Sequence, residues 1–327
     1  MASQRADLTR SLAAFLAAVA LSVPAAAAEP AKPYRIGVIN EAWAANHPAV
    51  EGLKAGLRER GIVEGRDVVF DIHFTRGKPG AADAAAQELL KAGVDLIFTS
   101  DHAPTLAARK ATTSVPIVFT LLGDPVAVQI VDSLASPGGN VTGVSSRNTD
   151  LAPKRMELLK HLVPDVRRLW FIYYGSDATD VAALATLGDA ARRLDLELVS
   201  RPVNDVASLS RTLKELKPGD ALFSPASSTL DIPVAVLETA LASRIPAVFP
   251  SSLWVTHGGL VSYGSDFRAQ GVQAARLVAK ILRGAKPRDV PVEGAENIHL
   301  ALNLKTVGLL GLTVPRTLLF RTDIVQR

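Results

Sequence analysis

From Tyr34 onward, short β-branched runs alternate with longer alanine- and leucine-rich segments at helical spacing, the pattern of βαβ units around a parallel sheet. Tyr34 to Ile39 reads as a buried strand, Ala49 to Arg60 as an amphipathic helix and Val68 to Phe74 as a second strand, with Gly61 at a helix C-cap. Helix Ala81 to Ala92, strand Leu96 to Thr99, a helix near Thr105 to Thr112 and strand Ile117 to Thr120 continue the series. A further helix is expected to open at Asp124. The turn-rich Ser136-Pro-Gly-Gly-Asn140 then leads into Val141 to Val144, which reads as a crossing between lobes. The plan repeats from Pro153 to Phe249. Leu260 to Tyr263 and Ile298 to Leu302 read as two further crossings. A chain of this length exceeds what one hydrophobic core organises. The expected fold class is α/β, two doubly wound parallel-sheet lobes joined by three crossings. Residues 33–143 and 264–290 would form lobe I, and 144–263 and 291–327 lobe II.

The N-terminus carries its own signal. Arg5 and Arg10 precede an apolar stretch from Leu12 to Val23, and an alanine run ends before Glu29. Residues 1–28 therefore read as a cleaved secretory signal peptide. The apolar stretch is shorter than the roughly 20 residues a spanning helix needs, so no stable membrane anchor is expected. The formal net charge is +4, and the basic residues are scattered without an aromatic-interleaved basic stretch, which argues against nucleic-acid binding. Cysteine is absent. A disulfide framework, a thiolate metal site and a lipid-bearing cysteine after the signal are thereby excluded. The expectation is a free periplasmic protein without a cofactor.

In open parallel sheets, ligands sit beyond the carboxyl ends of the strands, so the loops after the strands supply the candidate ligand-binding residues. In lobe I these are Asn40, Glu41 and Trp43; Thr75; Ser100, Asp101 and His102; and Leu121, Gly123 and Asp124. In lobe II they are Tyr173, Tyr174 and Ser176; Ala226 and Ser227; and Ser251 and Trp254. Aromatics make up 5% of the chain, yet Trp43, Tyr174 and Trp254 fall on these loops, which suits stacking on a flat or apolar solute. Trp170, inside a strand, reads as core. Glu41 and Asp101 could accept from a ligand amine, since a desolvated carboxylate needs partners. Serines 227, 228, 251 and 252 precede helices, where hydroxyls and free N–H groups either cap the helix or bind a carboxylate. Asp124 reads as a cap. No Gly-x-Ser-x-Gly, Gly-x-x-x-x-Gly-Lys or His-Glu-x-x-His motif is present, and the six histidines lack metal-ligand spacing. An enzyme is not expected.

Four stretches carry a resemblance to a known family. They are Gly56-Leu-Arg-Glu-Arg-Gly-Ile-Val-Glu-Gly65; Val115-Pro-Ile-Val-Phe119 with Gly123-Asp-Pro-Val126; Pro137-Gly-Gly-Asn-Val-Thr-Gly143; and Asn303-Leu-Lys-Thr306 with Leu310-Gly-Leu-Thr-Val-Pro315. A fifth, Gly258-Gly-Leu-Val-Ser-Tyr-Gly264 with Gly284-Ala-Lys-Pro287, falls in register. Together they resemble the ABC transporter substrate-binding family of the tryptophan- and tyrosine-type receptors, with the type I periplasmic binding fold. The resemblance covers roughly residues 33 to 324. It implies a binding role without covalent chemistry, and ABC permease and ATPase subunits as partners. The other role open to such a chain is a sensor presenting its solute to a chemoreceptor or kinase. Two places depart from the family pattern. Relatives carry a Gly-Thr-Pro-Ala-like loop where this chain has Asp101-His-Ala-Pro-Thr105, and small polar residues where it has Glu41 and Trp43. The ligand therefore need not be the aromatic amino acid of the relatives.

Overall fold

A computed structural model of the chain describes residues 32–41, 47–227 and 229–327; the expected signal peptide, Trp43 and Ser228 lie outside them. The first series is β1 (Tyr34–Asn40), α1 (Pro48–Glu59), β2 (Val68–Phe74), α2 (Ala81–Lys91), β3 (Leu96–Ser100), α3 (His102–Ala111), β4 (Ile117–Leu122) and β5 (Val141–Ser145). The second is α4 (Asn148–Leu162), β6 (Arg168–Tyr174), α5 (Ala178–Arg193), β7 (Glu197–Val203), α6 (Val206–Leu213), β8 (Asp220–Phe223), α7 (Ile232–Ser243), β9 (Ala247–Phe249), α8 (Ser252–Thr256) and β10 (Val261–Ser265). The chain ends with α9 (Phe267–Leu282), β11 (Glu293–Gly294), β12 (Ile298–Asn303), α10 (Leu304–Leu309), α11 (Arg316–Leu319) and β13 (Ile324–Gln326).

Among the described residues these strands form two sheets, ordered β11-β5-β4-β3-β1-β2 and β13-β12-β10-β9-β8-β6-β7. All pairings are parallel except β10 with β12. Helices cover both faces, which is why the central strands read as unbroken apolar runs. Side chains then divide by parity. Ile36 and Val38 enter one core of the first sheet with Phe98, while Ile39 and Ile97 enter the other. In the second sheet Leu169 and Phe171 face one core, and Trp170 and Ile172 the opposite one.

Helix α9 returns from the second sheet to pack on α1. A Cβ on Gly52 would stand 2.0 Å from the Arg268 carbonyl oxygen, and one on Gly271 2.0 Å from that of Ala49. Glycine at these positions sets the close approach of the two backbones. The chain passes between sheets after β5, after β10 and after β11, and the three passages are hydrogen-bonded side by side. The Ala295 N–H donates to the Ser145 carbonyl at 2.8 Å, and that of Asp266 to Asn297 at 3.1 Å.

Two expectations need correction. The lobe limits at 143 and 264 fall inside paired strands and the one at 290 stops short of one, because β5 runs on to Ser145, Gly264 and Ser265 pair with β12, and Glu293 and Gly294 pair with β5. The helix expected at Asp124 does not form. The Asp124 carboxylate accepts from the N–H groups of Val126 and Ala127 at 3.2 and 3.0 Å, but turns follow, with Gln129 at φ 56°. The β-branched Val126, Val128, Ile130 and Val131 disfavour the helix, and Ile130 and Val131 are buried in the first-sheet core.

Candidate ligand-binding cleft

A cavity of about 170 Å3 lies where the carboxyl ends of both sheets meet. Asn40, Ser100 and Leu121 reach it from β1, β3 and β4, Ala226 from the loop after β8, and Trp254 from α8, which follows β9. Asn148 and Phe267, the first residues of α4 and α9, also line it, so the passages after β5 and β10 open directly onto the space. Pro233, Val234 and Leu253 complete an apolar wall. His47 stacks on Phe267 with ring centroids 5.8 Å apart. Trp254 stacks on Phe249 at 6.1 Å, so it packs locally and lines the cavity at once.

Three lining residues hold backbone conformations that L-residues rarely adopt, one of them Asp231 at φ 52°. Asp101, at the N-cap of α3, has φ 78° and ψ 174°, a region populated almost solely by glycine, and Leu121 has φ 64°. Such strain persists where surrounding contacts fix it and clusters at ligand sites. The contacts are present. Thr105 Oγ1 donates to the Asp101 carbonyl at 2.6 Å, the Asp101 N–H to Thr120 at 3.0 Å, and the Leu121 N–H to Gln270 Oε1 at 3.1 Å. Gln270 Nε2 donates in turn to Ser265 Oγ at 2.7 Å, tying the cavity floor to the second passage.

The cavity is acidic. Glu41, Asp101 and Asp231 line it, with Asp177 and Asp180 close behind. Burial, reinforced by Asp177, Asp231 and Asp180, raises the Glu41 carboxyl to about 8, against a weaker lowering by the Thr229 hydroxyl. Burial and then Glu41 and Asp177 push Asp101 well above the usual carboxylate range. Asp180 is pushed up by burial, Asp177 and Asp101, although the Ala226 and Ser227 N–H groups counter this. Burial lowers His47 to about 4, which keeps it neutral. Arg155 lies behind the cavity, donating to the carbonyls of Asn148 at 2.8 Å and Tyr263 at 3.3 Å; burial lowers its guanidinium to about 9.

An adjoining space of about 190 Å3 shares Glu41 and is lined by His102, Tyr174, Ser176, Asp177, Lys78 and Lys110 among others. At its rim the two sheets' loops touch, where the Leu230 N–H donates to the Gly77 carbonyl at 3.1 Å. Of the candidates from sequence, Asn40, Glu41, Ser100, Asp101, Leu121, Ala226 and Trp254 come together around the main cavity. His102, Tyr174 and Ser176 line the adjoining space.

Six candidates line neither space. Tyr173 shares strand parity with Phe171 and stacks on it at 5.1 Å inside the core. Thr75 is buried beyond β2. Gly123 faces Thr149 and Thr179, Asp124 caps its turn, Ser227 donates to Thr229 Oγ1 at 3.1 Å, and Ser251 accepts from the Leu253 N–H as the cap of α8. Sequence reasoning missed His47, Asn148, Asp231 and Phe267. For Asn148 and Phe267 the available signal was their place just after a crossing. For Asp231 it was a cap position ahead of Ile232-Pro233.

The sequence pattern of the ABC transporter substrate binding proteins matches residues 40–326. The chain belongs to that family. Its members bind solutes and are not enzymes. A tyrosine-binding protein of Clostridioides difficile is 26% identical over 268 residues, covering 80% of this chain and 77% of that protein. A conserved domain protein of Vibrio cholerae superposes with a TM-score of 0.82 at 28% identity, over 90% of this chain and all of the other. The ABC domain of Streptococcus pneumonia solved in complex with L-Trp gives 0.81 at 25% identity with the same coverage. The two-lobed type I architecture of this substrate-binding protein is therefore shared with solved relatives.

Proposed function

We propose that this substrate-binding protein is exported to the periplasm and captures a small organic solute between its lobes for an ABC permease and ATPase. The observation that carries this reading is the cavity itself, built from both sheets at their carboxyl ends, with two of the three passages opening onto it. Such a site changes shape when the lobes rotate about the passages. Its volume of about 170 Å3 is close to that of an engineered cavity of about 150 Å3 that holds benzene, so the solute is of one- or two-ring size. The apolar wall, Trp254 and Phe267 favour a planar or apolar part, and Glu41 and Asp101 favour a donor such as an amine. The amino acids named for the relatives fall within this class and head the solutes to be tested. Mass spectrometry of solute released from gently purified protein identifies the ligand. Uptake of that solute should be lost on deleting the gene, and unchanged uptake would refute the importer role. N-terminal sequencing of protein from the native host should begin near Glu29; an intact Met1 or Ala2 would refute export by cleavage.

A further inference from the structure

The charge of the cleft narrows the solute further, on the premise that the cleft is the ligand site proposed above. Glu41 is 6% exposed and lines both spaces, and its Oε2 has no hydrogen-bond partner among the described residues. A buried carboxylate oxygen in that position lacks the donor its desolvation demands. A donor on the solute would satisfy it.

The surrounding helices sharpen this. A ligand carboxylate would ordinarily be received at helix N-termini, where free N–H groups and the dipole attract anions. Six helices begin at the cleft, and four have an aspartate at the N-cap position: Asp101 before α3, Asp177 before α5, Asp231 before α7 and Asp266 before α9, while Ser251 precedes α8 and Arg147 precedes α4. The Asp177 carboxylate takes the Asp180 N–H at 3.0 Å. Ser227 donates its hydroxyl proton to Thr229, and Ser251 accepts from the Leu253 N–H; neither lines the main cavity. Among the described residues neither Lys nor Arg lines the main cavity, and His47 there is neutral. Arg155 points its Nη groups at Asn148 and Tyr263 and lies over the Phe223 ring, and Lys78 and Lys110 belong to the outer space. A sphere of the cavity's volume is about 7 Å across, shorter than the Debye length of about 8 Å at physiological salt. Glu41, raised to about 8, holds its proton in the empty cleft at neutral pH; an entering cation within this distance favours its charged form and an entering anion disfavours it.

We propose that the solute is an organic cation, an amine or amidine with a planar or apolar part and no free carboxylate. Glu41 and Asp101 hold the cationic group by charge-assisted hydrogen bonds, and Trp254 and Phe267 cover its apolar part. A zwitterionic amino acid meets the same acceptors with its amine, but brings a carboxylate into a cavity whose described residues offer it no cation.

The test is a calorimetric panel on the whole mature protein with tryptamine, L-tryptophanamide, L-tryptophan and indole-3-propionate, backed by a thermal-shift survey of other amines, amino acids, carboxylates and sugars. The expected order is amine and amide first, with L-tryptophan at least about tenfold weaker and indole-3-propionate without measurable binding. Glu41→Gln, close in shape to the wild type, should lose most of the preference for the cations. Tighter binding of L-tryptophan than of its amide, or a survey led by a sugar, a carboxylate or a zwitterion, would overturn the inference and leave the receptor role standing. A preference for cations that survives in Glu41→Gln would overturn the assignment to this carboxylate. If no solute in the survey binds, the cleft as ligand site falls with it.

Discussion

Asp101 shows at one residue how binding and stability oppose each other. Its φ and ψ of 78° and 174° lie where glycine is at ease and other residues are strained by about 1–3 kcal/mol, and its carboxyl is buried among other acids. Asp101→Gly should therefore stabilise the empty protein, by about 1 kcal/mol once the greater freedom of glycine in the unfolded chain is deducted. The same change should weaken solute binding by about 1.5–3 kcal/mol, the range for charge-assisted hydrogen bonds, or about tenfold to a hundredfold. Urea denaturation and calorimetry read the two effects separately, and a variant losing both stability and affinity would make Asp101 a structural residue. Glu41 gives a matching dependence on pH. Its carboxyl moves from an ordinary 4.5 to about 8 on folding, so between those values the folded state holds a proton that the unfolded state releases. Stability falls as pH rises through that window and levels off above it. His47, lowered from 6.5 to about 4, acts in the opposite sense and costs stability as pH falls below 6.5. The difference between wild type and Glu41→Gln isolates the first effect. In scanning calorimetry without ligand, the wild type should lose melting temperature relative to the variant from pH 5 to pH 8, and a constant offset would contradict the raised value.

At the scale of elements, the contact of α1 with α9 makes lobe I continuous, since α9 enters it only after the chain has built most of lobe II. Gly52 and Gly271 have carbonyl oxygens 2.0 Å from where a Cβ would lie, and at Gly56 the Ala275 side chain would be 2.7 Å away. Gly52→Val should destabilise by about 1–3 kcal/mol or more through overpacking, measured as a lower urea midpoint with the slope unchanged. The same residues show what a sequence reveals and what it withholds. Strands such as Leu96–Ser100 and Ile117–Leu122 announce themselves because every residue in them is buried, and Gly61 marks the end of α1 with φ 77°. Gly52 gives no such mark, because its role depends on a helix more than two hundred residues away. The segment after Asp124 misled because a sound cap was followed by residues whose burial favours turns over helix. Within the site, the position of Asn40, Ser100 and Asp101 at strand ends was legible from the fold rule alone. Tyr173 was not, because parity with Phe171 turns it into the core. Asp231 becomes visible only when β8, α7 and the first lobe are brought together.

Over the whole molecule, the two lobes are joined by three short passages and by contacts across the cleft, and these must exchange for capture and release to occur. The hydrogen bond from Leu230 to Gly77 closes one rim. Deeper in, Gly123 at the end of the first sheet comes against α4 and α5 of the second lobe, with Thr149 Oγ1 and Thr179 Cγ2 standing 3.1 and 3.3 Å from where its Cβ would lie. A small residue there permits the lobes to meet, and a large one would act as a wedge. Gly123→Leu should leave each lobe's own packing intact, because the added atoms project between lobes, while raising the free energy of the closed arrangement by about 1–3 kcal/mol, the usual cost of overpacking. Solute that binds the closed arrangement then loses the same amount, about fivefold to a hundredfold or more in affinity. Small-angle scattering with the tightest solute from the panel provides the second readout. The wild type should contract on saturation, and Gly123→Leu should keep a larger radius at equal occupancy. If the variant binds as tightly as the wild type and contracts as far, Gly123 does not meet the second lobe in the bound state, and the closure drawn from this contact is wrong.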